Sequence, residues 1–306
     1  MTDAPDTKTS TPASPAGTAG TAPHSASPLD LDAYLARTGW SGERRATVET
    51  LRSLHRAHLE AIPFENLQPL LDTAPSLALP DLQDKLVRSR RGGYCFEQNT
   101  LFTAVLEAFG FRVTRFAARV VLGAGPGDVR PRTHMTLAVQ VPAAAPGDPV
   151  RTYLADVGYG SVGGLYEAIP LVADVEVADG VRSHRLIRRP HHGPSDLWTL
   201  QARQGGVWTD QYTFTEEPFE HPDFEVFNWH VGTNPRSPFR YGLIAQRTFP
   251  TRHLALHNRT VVETREDGSA EERRLGDDED LVAVLARDFG IELPPGTRFP
   301  TDLTGA

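Results

Sequence analysis

Apolar and polar positions divide the chain into a helical first part and a strand-rich second part. Residues 1–27 show no apolar periodicity. Ala, Thr, Pro, Gly, Ser and Asp nearly fill them, so they bury too little to offset ordering and read as a disordered tail. Order is expected from Pro28-Leu29-Asp30, with Asp30 capping a short helix that runs through Leu35. Over residues 47–61, Val48, Leu51, Leu54, His58 and Leu59 fall near one face of a second helix, and Pro63-Phe64-Glu65-Asn66-Leu67 ends it in a turn. Residues 81–88 make another short helix. Across 100–109 a stripe of Leu101, Val105, Leu106 and Phe109 predicts an amphipathic helix stopped by Gly110.

After Gly110 the period changes to two. Phe111 and Val113, then Phe116, Ala118 and Val120, alternate with polar residues as on a half-buried strand. A loop at 123–128 leads to a strand over His134–Val141, with Met135, Leu137, Val139 and Val141 on one face and His134 on the other. A turn at 143–149 precedes a strand over 151–157 that carries Asp156. Residues 198–213 read as a hairpin around Gly205-Gly206, and 251–274 as one around Asp267-Gly268. A closing helix is expected over Asp278–Phe289, stopped by Gly290. Helices, then strands, then mixed elements with a terminal helix make an α+β plan.

Composition narrows the class. With 306 residues the chain can build two packed units, and 39% hydrophobic with 23% charged residues fits a soluble globular protein. One cysteine excludes an internal disulfide framework and suits a reducing cytoplasm. No apolar run reaches spanning length, and the N-terminus lacks the basic region and apolar core of a secretory signal, so no membrane association is expected. A formal net charge of −8 argues against general nucleic-acid binding, while leaving room for a local basic pocket that takes a phosphorylated cofactor.

The candidate chemistry centres on residues 90–99, which hold the lone cysteine, Cys95, behind Gly92-Gly93 and at the start of a helix. Unpaired N–H groups and the dipole at a helix N-terminus favour an anion, and a thiolate is an anion. The alternative is a packed cysteine acting as a small hydrophobe. His134 and Asp156 lie on successive strands, where antiparallel pairing would set them side by side as base and orienting carboxylate for a thiol. Each also has an ordinary reading, a hydrogen-bonded strand histidine and a strand end capped by a turn. His55 and His58 have a spacing compatible with a shared metal, but no carboxylate or cysteine accompanies them, so surface or core histidines are expected and no metal site is assigned. Gly158-Tyr-Gly-Ser-Val-Gly163 matches a dinucleotide-binding turn. Pro170 and the short stretch after Gly163 leave no room for the helix that such a turn needs.

With these residues in view the chain resembles the arylamine N-acetyltransferases. The resemblance lies in Arg91-Gly-Gly-Tyr-Cys-Phe-Glu-Gln-Asn99, Thr133-His134-Met135, Tyr153-Leu-Ala-Asp-Val-Gly-Tyr-Gly160, Pro63-Phe-Glu-Asn-Leu67 and Thr233-Asn-Pro-Arg-Ser-Pro-Phe239, and covers the chain from Leu29 onward. It implies a helical bundle over 28–110 that carries the nucleophile, a β-barrel domain over 111–215 and an α/β lid with a C-terminal helix over 216–306, with a cysteine-protease-like core. It implies Cys95 as nucleophile, His134 as base and Asp156 as the residue that orients it. By the same resemblance Phe64 and Tyr159 line the acceptor pocket, and Thr133 and Gly160 lie near the coenzyme. The implied reaction moves an acetyl group from acetyl-coenzyme A, through an acetyl-cysteine, to an arylamine or aryl hydrazine, without a metal; a homodimer is compatible with it. Tyr159 stands where the family often has phenylalanine, which adds a hydroxyl to an apolar pocket. Two rivals stay open: an amide synthase that moves a carrier-bound acyl chain to an aryl amine, and a catalytically idle binding module.

Overall fold

The computed structural model describes Met1 and residues 29–303 other than 72, 126, 144, 146, 180, 181, 295, 301 and 302. The tail expected over 1–27 lies outside the described residues, apart from Met1. Helix α1 (Leu31–Thr38) starts where the Asp30 carboxylate accepts from the Ala33 N–H at 3.0 Å, and it runs past Leu35 to Gly39, whose φ of 70° ends it. Helix α2 (Val48–Ala61) starts from Thr47, whose hydroxyl accepts from the Thr50 N–H. The turn that follows contains strand β1 (Phe64–Glu65) and leads into α3 (Leu67–Leu71). Helix α4 (Leu79–Leu82) continues over Gln83–Arg88 as a wider π-helical stretch. Helix α5 (Cys95–Ala108) begins at Cys95, not at Thr100. Its first turns bury Phe96, Gln98, Asn99 and Thr100 as well as Leu101 and Phe102, so no polar face exists there for a periodicity to reveal.

Eight antiparallel strands follow: β2 (Arg112–Val120), β3 (His134–Val141), β4 (Arg151–Ala155), β5 (Ile169–Pro170), β6 (Glu176–Asp179), β7 (Arg182–Arg189), β8 (Leu197–Gln204) and β9 (Val207–Phe214). In the order β5-β4-β3-β2-β9-β8-β7-β6 they curl into a nearly closed barrel, and a bridge from Ala173 to Leu186 ties the chain after β5 to β7. Strand β3 buries both faces near its start, not one. Met135, Leu137 and Val139 pack toward the helices, while Ala138 joins the core among the barrel strands.

The last part contains α6 (His221–Thr233), α7 (Pro238–Tyr241), strands β10 (Ile244–Thr248), β11 (Arg252–His257), β12 (Thr260–Arg265) and β13 (Ala270–Arg274), and helix α8 (Asp278–Phe289). The sheet order is β1-β10-β11-β12-β13, so the helical part supplies an edge strand to the lid. The single hairpin expected over 251–274 is three strands. The extra reversal is at Asn258, which takes a positive φ of 52° without glycine, and its side chain accepts from the Leu243 N–H at 2.9 Å. A third core, with Leu254, Leu256, Val284, Leu285 and Phe289, joins this sheet to α8. The architecture is the expected α+β arrangement of N-terminal helices, barrel and α/β lid, and the start of α5, the start of β3 and the end of β4 meet at one place.

Candidate active site

Cys95 is the first residue of α5 and is 4% exposed. The segment before it is held from several sides. The Gln98 amide donates to Pro63 O and Gly93 O, both at 3.1 Å, and the Glu97 carboxylate accepts from the Tyr94 N–H at 3.1 Å. Arg91 pairs with buried Glu65 at 2.7 Å, and Lys85 with buried Glu97 at 2.6 Å. Burial pushes the Glu97 carboxyl up, and Lys85 only partly opposes it. For Glu65, burial is outweighed by Lys85 and Arg91, and the group sits below its ordinary range. Neither Gly92 nor Gly93 has a positive φ; what Gly92 permits is close approach, because a Cβ there would lie 2.1 Å from Pro63 O. The Cys95 thiol donates to Thr133 O at 3.7 Å.

His134 opens β3 and Asp156 directly follows β4; these strands pair with Leu137 opposite Ala155. His134 Nε2 and Asp156 Oδ2 are 2.6 Å apart, and both residues are buried. The other carboxylate oxygen accepts from Asn99 Nδ2 and from the Gly158 N–H, each at 3.0 Å, and the buried Tyr212 ring lies against His134 with centroids 4.9 Å apart. Burial raises the Asp156 carboxyl, but His134 and these donors outweigh it and hold it below its ordinary range. Burial likewise pulls the His134 imidazole down. The charge and hydrogen bond of Asp156, then a hydrogen bond with Cys95, overcome that pull and raise it to about 10. With Nε2 on the carboxylate, Nδ1 is the ring nitrogen left for sulfur.

Asn99 joins these parts. Lying on α5 with Cys95, it donates to Met135 O at 2.8 Å and to Asp156, and accepts from the Val157 N–H at 3.2 Å. Sequence reasoning passed over Asn99, although it lies one helical turn beyond Cys95 in the same motif, and over Tyr212, for which the sequence carries no signal.

A cleft of about 990 Å³ opens over Cys95 and His134, and Phe64, Thr133, Tyr159 and Gly160 all line it. The Tyr159 hydroxyl donates to Gln211 O at 3.3 Å, and its ring packs edge-on against His134. A Cβ on Gly160 would lie 2.7 Å from the Phe64 ring, so glycine brings the two walls together there. Strands β10 to β12 form the far wall with Gln246, His253 and Thr264, and Arg130, His230 and Arg236 add basic groups. His55 and His58 are buried with separate partners and do not converge on a common point; among the described residues no group of three or more His, Cys, Asp or Glu side chains is placed to hold a metal. No helix follows Gly163, where a Cβ would meet the buried Gln211 side chain at 2.3 Å. No helix among the described residues is long and apolar enough to cross a membrane.

The sequence profile of an N-acetyltransferase family matches residues 47–297. The chain is 37% identical to arylamine N-acetyltransferase of Mycolicibacterium smegmatis over 267 residues, covering 87% of this chain and 93% of that protein. To the enzyme of the same description from Escherichia coli (strain K12) it is 35% identical, covering 85% and 88%. Its structure is similar to that of Nocardia farcinica arylamine N-acetyltransferase, with a TM-score of 0.80, 45% identity and coverage of 87% and 90%. It is likewise similar to Mycobacterium marinum arylamine N-acetyltransferase in complex with CoA, with a TM-score of 0.78, 35% identity and coverage of 86% and 93%. A buried Cys-His-Asp cluster under a cleft, a matching profile and relatives that align along most of their length lead to one conclusion: the chain belongs to the arylamine N-acetyltransferase family of acyltransferases.

Proposed function

We propose that this protein transfers an acetyl group from acetyl-coenzyme A to an arylamine or aryl hydrazine in two steps, through a thioester on Cys95. The observation that carries the reading is a thiol at a helix N-terminus that shares the cleft with a histidine, whose Nε2 is 2.6 Å from a buried carboxylate. The imidazolium and the helix N-terminus both favour an anion at sulfur. In the first step the Cys95 thiolate attacks the thioester carbonyl; the tetrahedral adduct collapses, the coenzyme sulfur leaves as a thiolate and His134 gives it a proton. In the second, the amine attacks the acetyl-cysteine, His134 accepts the amine proton, and Cys95 leaves as a thiolate. Acetylation removes the negative charge on sulfur, one of the causes that raise His134, so the ring becomes a more effective base when the amine arrives.

The lining of the cleft supports this reading. Arg130 and Arg236 supply positive charge for the coenzyme's phosphates, and the M. marinum relative was solved with CoA. Thr133 and Gly160 line the path of the thioester to Cys95. Phe64 and the ring of Tyr159 offer flat apolar surface to an aromatic acceptor, whose amine of low pKa arrives uncharged, whereas an alkyl ammonium is costly to desolvate. The same reading assigns residues 28–110 to the part that carries the nucleophile, 111–215 to the barrel and 216–306 to the lid, and places the reaction in the reducing cytoplasm, where a reactive thiol persists.

Mass spectrometry after incubation with acetyl-coenzyme A should show one added acetyl group on the wild type and none on Cys95→Ala, with turnover abolished in the variant. Substantial turnover by a folded Cys95→Ala protein would sink the covalent route. Aryl amines should outcompete alkyl amines, and acetyl-coenzyme A should outperform longer acyl donors; transfer of long acyl chains without use of acetyl-coenzyme A would favour an amide synthase.

A further inference from the structure

Helix α2 presents two buried histidines, His55 and His58, to the underside of the site. We propose that both are positioning residues for the Cys95-His134-Asp156 relay, His55 by holding the backbone of Asp156 and His58 by holding, through Gln98, the glycine segment before Cys95. The proposal rests on the catalytic reading given above.

Hydrogen-bond partners define the state of each ring. His55 Nδ1 lies 3.0 Å from Tyr166 O, a group that only accepts, so Nδ1 carries a proton. His55 Nε2 lies 3.0 Å from the Asp156 backbone N–H, a group that only donates, so Nε2 must offer a lone pair. Only the neutral Nδ1–H form satisfies both; an imidazolium would set one N–H against another. The register of β4 with β3 ends at Ala155, so the Asp156 N–H lies just beyond the sheet, in a buried setting where it needs an acceptor. His55 supplies that acceptor and thereby sets where the Asp156 carboxylate meets His134.

His58 has the opposite form. Gln98 Nε2 donates to Pro63 O and Gly93 O, which turns Gln98 Oε1 toward His58 Nε2 at 2.7 Å. That nitrogen therefore carries the proton, and Nδ1 accepts from the Tyr34 hydroxyl at 2.9 Å. Burial lowers the His58 pKa to about 3, so the ring stays neutral. Phe102 of α5 packs edge-on against both imidazoles, with centroids 5.9 Å from His55 and 5.3 Å from His58, and limits their rotation. One face of α2 thus holds the carboxylate end of the relay through one tautomer and the thiol end through the other.

Tautomer spectra, the pH profile of alkylation and steady-state kinetics test this. Long-range proton–nitrogen correlation spectra of the nitrogen-15-labelled wild type should show His55 as the Nδ1–H form and His58 as the Nε2–H form, both unchanged between about pH 6 and about pH 9. The reversed tautomer at either ring, or titration within that range, overturns that residue's part. The second measurement is the pH profile of Cys95 alkylation by iodoacetamide, with Asp156→Asn as reference. His55→Leu should displace the profile in the same direction as Asp156→Asn and lower kcat about tenfold or more, with KM for acetyl-coenzyme A little changed. His55→Gln, whose amide oxygen can accept from the Asp156 N–H, should recover most of that loss. His58→Leu should lower the plateau rate of alkylation while leaving its midpoint in place. A displaced Asp156→Asn profile beside an undisplaced, folded His55→Leu overturns the role of His55 alone, and an unchanged plateau in folded His58→Leu overturns that of His58. An Asp156→Asn profile equal to wild type overturns the relay reading and this proposal with it. Should His55→Leu fail to fold, the wild-type spectra and the His55→Gln kinetics decide.

Discussion

His134 holds its proton at pH values where an ordinary imidazole has lost it, because a buried carboxylate and a thiol outweigh the cost of its burial. The sign of the consequence follows from linkage. The imidazole value is raised from 6.5 to about 10, so the folded chain binds a proton that the unfolded chain releases; the stabilisation is complete below about pH 6.5 and is lost as pH rises through about 10. The partner carboxyl is lowered from 3.8, so its contribution is present above that value and lost on further acidification. Melting temperatures of wild type and His134→Gln should therefore converge as pH is raised from 7 toward about 10, a prediction that fails if the difference stays constant. At this scale the sequence was legible for residue types that do chemistry. Cys95 stands out as the lone cysteine; His134, one of eleven histidines, and Asp156 were drawn out by their places on successive strands and by the resemblance, whereas Asn99 and Tyr212 are common residues whose importance comes from what they touch.

Helix α5 and the end of β4 are pressed together at Gly158, where a Cβ would lie 2.6 Å from the Cys95 Cα and 2.9 Å from its carbonyl oxygen. Those are backbone atoms, which cannot swing aside, so Gly158→Ala must push the helix that begins at Cys95 away from Asp156. A stability loss of about 1–3 kcal/mol by denaturant titration is expected, with a fall in kcat larger than any change in KM. A variant with wild-type stability and kcat would show that the two elements are free to separate. Elements with a one-sided apolar pattern were legible: α2 and α8 were read close to their observed bounds. Those without it were not. Helix α6 buries Phe224, Asn228, Val231 and Gly232 yet exposes Val226 and Trp229, so its apolar residues run all round the axis. Strand β7 buries only His184 and Leu186 and carries Arg182, Arg185, Arg188 and Arg189, which leaves little apolar alternation to read.

Across the whole molecule, Asn66 joins the helical part to the lid. Its amide donates to Phe239 O at 3.0 Å and Gly242 O at 2.7 Å, and its oxygen accepts from the Ile244 N–H at 2.7 Å. Since Ile244, Gln246 and Ala255 form one wall of the cleft, Asn66→Ala should loosen that wall and leave buried backbone groups without partners. The expected loss is about 2 kcal/mol or more, read as a fall of several degrees in melting temperature. KM for acetyl-coenzyme A should rise while the midpoint of Cys95 alkylation stays in place; an unchanged KM in a destabilised protein would separate the lid from coenzyme binding. Sequence by itself determined the broad succession of helices, strands and terminal helix, and the position of the candidate thiol, because periodicity, caps and a lone cysteine are local properties of the chain. Tertiary structure alone decided that β1 joins the lid sheet, that Nε2 of His134 faces Asp156, and that His55 meets the backbone N–H of Asp156 while Asn99 meets its carboxylate. These are pairings between residues far apart in the chain, and the packing of α2 and α5 against the barrel strands selects them.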